Sequence, residues 1–211
     1  MISGLMETIK SVDLCKIYEK KVQALRDVRV SIKKGEFYTL LGLNGAGKTT
    51  FLRICSTQLL PTSGECYVLG YDVVEEASEV RQHVAIVPQD AIAYVAYTPW
   101  DYAYYFSRLR GIPKKDAKKA AEAALRTVRM WELRKRKCAM ISGGEKRRAV
   151  ITSALASGAE ILLLDEPTSG LDAVAKRSVW SALRDLTKED KTILLTTHNM
   201  EEAEVASDRL G

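Results

Sequence analysis

The chain has 211 residues, 46% of them hydrophobic and 28% charged, a globular composition that excludes disordered, collagenous and coiled-coil classes. Lys and Arg number 32 against 27 Asp and Glu, a formal charge of +5 whose location matters more than its size. No stretch is long and apolar enough to span a membrane, and the opening Met1-Ile2-Ser3-Gly4-Leu5-Met6 lacks the charged start and apolar core of a signal peptide. The four cysteines, Cys15, Cys55, Cys66 and Cys138, share no metal-ligand spacing, so the expectation is one reduced, cytoplasmic domain.

In chain order, Leu25–Ile32 alternates at Val28, Val30 and Ile32 and predicts a half-buried strand. Glu36–Leu41 predicts a more buried strand, followed by a glycine-rich loop and a helix over 48–58. Pro61-Thr62-Ser63-Gly64 turns into a strand at Cys66–Leu69, and Val84–Val87 is a strand closed by Pro88. Residues 91–140 break this rhythm: no buried strand stands out, and Ala117–Leu133 is rich in good helix formers. Beyond them, Glu145–Ser157 predicts a helix, Ile161–Leu164 a strand, Asp172–Leu186 a helix, Thr192–Thr196 a strand and Met200–Ala206 a helix. Continuous apolar strands separated by helices imply an α/β fold with a mainly parallel sheet covered on both faces, interrupted by a helical insertion.

Gly42-Leu43-Asn44-Gly45-Ala46-Gly47-Lys48-Thr49 satisfies G-x-x-x-x-G-K-[ST] between a predicted strand and a predicted helix. Glycines let the backbone wrap phosphate oxygens with inward N–H groups, and the following helix adds its positive end. Lys48 is placed to reach β- and γ-phosphates and the Thr49 hydroxyl to ligate Mg²⁺. Such a pattern arises by chance in about 1% of chains this long, and the strand–loop–helix context lowers that. Asp165 and Glu166 follow the strand at Ile161–Leu164, where the carboxyl ends of a parallel sheet gather ligands. Asp165 is placed to hold the Mg²⁺ shell and Glu166 to polarise the attacking water as general base. Read alone, the two acids are a solvated turn; beside the glycine loop the functional reading dominates.

These residues resemble the nucleotide-binding domain of ATP-binding-cassette (ABC) transporters along nearly the whole chain. Ile141-Ser142-Gly143-Gly144-Glu145 is similar to the family's LSGGQ signature, with Ile141 for leucine and Glu145 for glutamine. Ser142 to Glu145 also fits a capping box, so helix capping and anion binding coexist there. The resemblance implies a P-loop NTPase fold with an N-terminal antiparallel β portion, a core over 1–90 and 141–211, and a helical subdomain over about 91–140. It further implies that ATP and Mg²⁺ are the cofactors, held by the loop through Thr50, with Tyr18 stacking on adenine. It also assigns Gln89 to the Q-loop, where it senses Mg²⁺, Asp172 of Ser169-Gly170-Leu171-Asp172 to the D-loop, and His198 to the switch at the γ-phosphate. Taken singly, Tyr18 pads a strand end, Gln89 is an exposed polar residue and His198 is a polar strand terminus. His83 matches no motif and reads as helix-terminal or structural.

By the same resemblance, two copies, or one copy and a partner, close head to tail over two ATP molecules. Lys48 and Glu166 of one subunit then meet Ser142 and Gly144 of the other. The domain is expected at the inner face of the cell membrane, contacting integral permease subunits through the Gln89 region and the helical subdomain, with no nucleic acid as partner. Thr196–Ala203 most resembles multidrug-exporter and ABC-2-type ATPases. The competing class is a soluble ABC ATPase acting on nucleic acid, the ribosome or iron–sulfur assembly. The chain's end at Gly211 predicts a C-terminus truncated relative to the family, without a further strand.

Two features of the insertion leave alternatives open. Residues 94–106 hold seven of the fifteen aromatics, either a small helical core or a partly exposed groove. Residues 108–148 carry a local balance of +11 against −6 for the remainder, either a solvated helical face or a surface for anionic partners.

Overall fold

The structure, a computed structural model, describes residues 7–211; Met1–Met6, on which the expectation about a signal peptide falls, lie outside the described residues. The elements run β1 (Glu7–Ile17), β2 (Gln23–Lys33), β3 (Phe37–Leu41), α1 (Lys48–Cys55), β4 (Ser63–Val68), β5 (Tyr71–Asp72), α2 (Ala77–His83) and β6 (Val84–Val87). They continue with α3 (Pro99–Leu109), α4 (Lys114–Thr127), α5 (Gly143–Leu155), β7 (Ile161–Asp165), α6 (Ala173–Thr187), β8 (Thr192–Thr197), α7 (Met200–Ala206) and β9 (Arg209–Leu210). No helix among the described residues is long and apolar enough to cross a membrane.

The chain forms two compact units. The first runs to Ile86 and adds Glu160–Asp165 and Thr187–Gly211; the second comprises Val87–Ala159 and Glu166–Leu186. In the first unit an antiparallel sheet of order β2-β1-β4-β5 accompanies a second sheet of order β6-β7-β8-β3-β9. β3 runs parallel to β8 and β9, and β7 parallel to β8. Every residue of β7 and β8 is buried, and each carries a continuous apolar stretch, Ile161–Leu164 and Ile193–Leu195. Phe51, Leu52 and Ile54 of α1 share one core with Ile9, Leu14, Ile32 and Val68 of the antiparallel sheet and with Ile161, Leu163 and Leu194 of the parallel one. Each such fully buried side chain contributes about 1.5–3 kcal/mol.

β1 escapes the sequence reading because its alternation is irregular. Its pairing with β2 shifts register between Ser11 and Leu14, and Asp13 sits at φ 48°. At the other end the expectation of no further strand is corrected: Arg209 and Leu210 pair with Tyr38 and Thr39 as an edge strand, and Gly211 N–H donates to the Thr39 carbonyl at 3.0 Å. His83, at the end of α2, lies 2.6 Å through Nδ1 from Glu160 and stacks on Tyr71, a structural place.

The second unit holds the helical residues. α4 starts at Lys114 and stops at Thr127, six residues short of the predicted Leu133, because the chain turns into the left-handed region at Arg129, φ 55°. Its alanines 117, 121 and 124 and Leu125 face inward while Lys114, Lys115, Lys118 and Lys119 are exposed, so this part of the basic region is a solvated helical face. The aromatics resolve the other way. Tyr102 is buried at 3% exposure, but Tyr94, Tyr97, Tyr105 and Phe106 are 73%, 45%, 52% and 42% exposed. The cluster is an exposed aromatic face with a single buried anchor.

Candidate functional site

In the first unit three strand ends converge. Leu41 is paired with Thr197 and Asp165 with Thr196, so β7, β8 and β3 finish side by side at their carboxyl ends. The Gly42 N–H donates to the Thr197 carbonyl at 3.2 Å, which fastens the start of the phosphate loop to the end of β8. Gly42, Leu43, Asn44, Gly45 and Ala46 then cross to α1, whose N-cap is Gly47 at φ 92°. A Cβ on Gly47 would collide with the Ala24 carbonyl oxygen and press the Leu25 side chain at 2.8 Å. Only glycine fits there, by conformation and by space. Having no side chain, Gly47 caps nothing, and the first-turn N–H groups of Lys48, Thr49 and Thr50 stand at the helix start where an anion binds. Lys48 Nζ donates to the carbonyls of Gly42 at 2.6 Å and Leu43 at 3.0 Å, which anchors the ammonium over the loop.

Asp165 is buried and its Oδ1 accepts from the Thr196 hydroxyl at 2.5 Å, a fixed carboxylate at the strand edge. Tyr18 is 37% exposed beside α1, with its hydroxyl 3.2 Å from Thr50 Oγ1. His198 is exposed just past β8; next to it the Asn199 side chain caps α7 and Thr197 donates to the buried Glu202 at 3.0 Å. The first unit thus gathers Tyr18, the loop through Thr50, Asp165 and His198. A glycine loop leading into an uncapped helix start, an ammonium and a carboxylate together fit a polyphosphate with a divalent cation.

The second unit gathers Gln89, Glu166, the signature and Asp172. Glu166 is buried, with φ 44°, and its Oε2 accepts from Gln89 Nε2 at 3.4 Å. Ser142 opens α5 with the capping box the sequence predicts: Ser142 N–H donates to Glu145 at 2.7 Å and Glu145 N–H donates to Ser142 Oγ at 3.3 Å. The Ser142 amide holds the Glu145 carboxyl below its ordinary value, with Arg148 and Arg136 adding attraction, so the departure from glutamine is accommodated as a charged cap. A Cβ on Gly144 would meet the Leu171 side chain at 3.3 Å, whereas one on Gly143 would meet open space. Asp172 caps α6, accepting from the N–H groups of Val174 and Ala175 at 2.9 Å each, and the Ala175 bond leads in lowering its carboxyl's pKa.

Two residues escaped the sequence reading. Thr196 fixes Asp165, and its only signal is its place opposite that acid in the neighbouring strand. Arg147, in the basic run Lys146-Arg147-Arg148 that follows Glu145, donates to backbone carbonyls on two loops.

Fold and site define a P-loop nucleotide-binding domain. A family model described as ABC transporter matches residues 25–169. The phospholipid-transporting ATPase ABCA3 of Rattus norvegicus is 35% identical over 206 residues, 96% of this chain and 12% of that protein. ABC transporter A family member 8 of Dictyostelium discoideum is 35% identical over 191 residues, 90% of this chain and 23% of that protein. The chain therefore spans less than a quarter of the length of these relatives. Among solved structures, the dimeric ATP-binding cassette MJ0796 in a post-hydrolysis state with ADP and Pi gives a TM-score of 0.84 at 26% identity, covering 94% of this chain and 91% of that one. The chain belongs to the ABC transporter family and has the fold of its ATP-binding cassette.

Proposed function

We propose that this domain binds Mg·ATP at the phosphate loop and hydrolyses it to drive substrate movement by membrane subunits or segments. The observation that carries the reading is the convergence of the loop, Asp165 and the β8 terminus at the ends of three adjacent parallel strands. Lys48 binds β- and γ-phosphates, Thr49, Asp165 and Gln89 hold Mg²⁺, and Tyr18 stacks on adenine. The cation, when bound, neutralises charge on the transferring phosphoryl group. Glu166 takes a proton from the attacking water, and His198 steadies the γ-phosphate. The core over 1–90 and 141–211 and the helical subdomain over about 91–140 divide these tasks.

Head-to-tail pairing with a second cassette brings Ser142, Gly143, Gly144 and Asp172 to the nucleotide of the other subunit; the dimeric MJ0796 cassette supports this. The exposed aromatics from Tyr94 to Phe106, next to Gln89 in sequence, form the face for the membrane component at the cytoplasmic side of the membrane. The multidrug and ABC-2-type reading of Thr196–Ala203 belongs to this proposal. The relatives at 34–35% identity carry A-family names, three of them as phospholipid-transporting ATPases, and favour a lipid cargo.

Glu166→Gln tests the base. Loss of a general base costs about a hundredfold or more in turnover. The variant is expected to bind Mg·ATP, stop turning over and accumulate as an ATP-loaded dimer in light scattering. Turnover at the wild-type rate removes Glu166 from that role.

A further inference from the structure

Arg147 lies in α5, two residues beyond the Glu145 of the capping box. Its half-buried guanidinium reaches four backbone carbonyls of the second unit. Nη1 donates to Pro88 at 3.0 Å and to Gln89 at 3.1 Å, Nη2 to Glu166 at 3.2 Å, and Nε to Pro167 at 3.2 Å. All three nitrogens are engaged, and their acceptors lie on two loops: the one carrying Gln89 and the one carrying Glu166. The side chains of those two residues also meet, at 3.4 Å.

The chemistry calls for arginine. A guanidinium is planar, always charged and carries five donors in a rigid fork, so one group spans two loops; an ammonium is a compact point charge that cannot. Because the acceptors are backbone carbonyls, the clamp fixes the path of the chain under Gln89 and Glu166. Glu166 needs such support, since at φ 44° it occupies the left-handed region that non-glycine residues hold only when surrounding structure imposes it. The same carbonyls accept amides within their own loops: Ala91 N–H donates to Pro88 and Ser169 N–H to Glu166, both at 3.2 Å. Removing the guanidinium therefore loosens two loop turns at once.

We propose that Arg147 is a positioning residue for ATP hydrolysis, holding the Gln89 and Glu166 backbones in one geometry and tying both to the helix that Ser142 opens. The proposal rests on the reading of Glu166 as the base. It gives Arg147 a task separate from charge compensation at the signature and from nucleotide binding at Lys48.

The test compares the wild-type chain with Arg147→Ala, Arg147→Lys and Glu166→Gln. Four quantities are measured: Mg·ATP affinity by calorimetry, kcat and KM for hydrolysis, amide exchange at Ala91 and Ser169, and rescue of turnover by added guanidinium ion. Arg147→Ala is expected to lower kcat about tenfold or more while affinity changes by less than about twofold. Exchange at Ala91 and Ser169 is expected to quicken about tenfold, with other amides of α5 unchanged. Millimolar guanidinium restores part of the lost rate, and Arg147→Lys, which keeps the charge without the fork, stays slow. Wild-type kcat in both Arg147 variants, or exchange at the two reporter amides equal to wild type, overturns the proposal. Exchange needs no turnover and so decides even in slow preparations, and Arg147→Lys carries the comparison where the alanine variant does not fold. Wild-type turnover in Glu166→Gln removes the base reading; a dead Glu166→Gln beside a wild-type-like Arg147→Ala removes only the role of Arg147.

Discussion

Two helices of this domain begin with glycine-rich sequence, and their first turns are finished in opposite ways. α1 starts from Gly47, which offers no side chain, so the protein leaves the first amides to whatever enters the loop. α5 starts from Ser142, and the reciprocal bonds between Ser142 and Glu145 satisfy its first turn from within. A helix end costs free energy when its amides go unpaired. α1 carries that cost toward a ligand, and Lys48 sits beside it on the carbonyls of Gly42 and Leu43. α5 brings its own carboxylate, so an arriving phosphate meets a negative cap there. One end is left open to a ligand, the other is closed by its own carboxylate.

The sharpest way to break this contrast is Gly47→Ala. The added Cβ meets the Ala24 carbonyl and the Leu25 side chain at a backbone angle of φ 92° that alanine rarely adopts. A loss of about 2–4 kcal/mol in unfolding free energy is expected, with Mg·ATP affinity falling alongside it. Denaturant unfolding and calorimetry check both; an unchanged midpoint would mean the loop does not need its glycine.

Glu145→Gln is expected to have the smaller effect, about 0.5 kcal/mol at neutral pH, since the glutamine still caps but loses the charge beside the helix start. The pH dependence has a definite sign. The Glu145 carboxyl is held below its ordinary 4.5 in the folded protein, chiefly by the Ser142 amide. Its stabilisation is therefore complete above that ordinary value and is lost as pH falls through the lower folded one. The difference between wild type and Glu145→Gln should be flat from pH 7 to about 5 and vanish in stronger acid. A constant difference down to pH 2 would show that the charge is not what stabilises the cap.

The same contrast explains what the sequence made legible. The phosphate loop, the acid pair and the capping box are contiguous, and each carries its chemistry within a few residues. Gly42 to Thr50, Asp165 and Ser142 to Glu145 all sit at the ends of elements where their spacing predicts them. β1 was hidden because register shifts and the left-handed Asp13 spoil the period of two by which strands are read. α4 ran short of its prediction because propensity sees good helix formers and not the turn at Arg129. Arg147 was hidden for a different reason. Its partners at Pro88 and Glu166 lie 59 and 19 residues away in sequence and are main-chain atoms, so no side-chain pattern announces them.

The most direct test of the contrast between the two helix starts is a calorimetric titration of Mg·ATP into wild type and Lys48→Ala. A charge-assisted hydrogen bond is worth about 1.5–3 kcal/mol, so the variant should bind about tenfold to a hundredfold more weakly with its fold intact. An unchanged Kd would contradict the account, because the ammonium at the uncapped start of α1 would then have no part in holding the nucleotide.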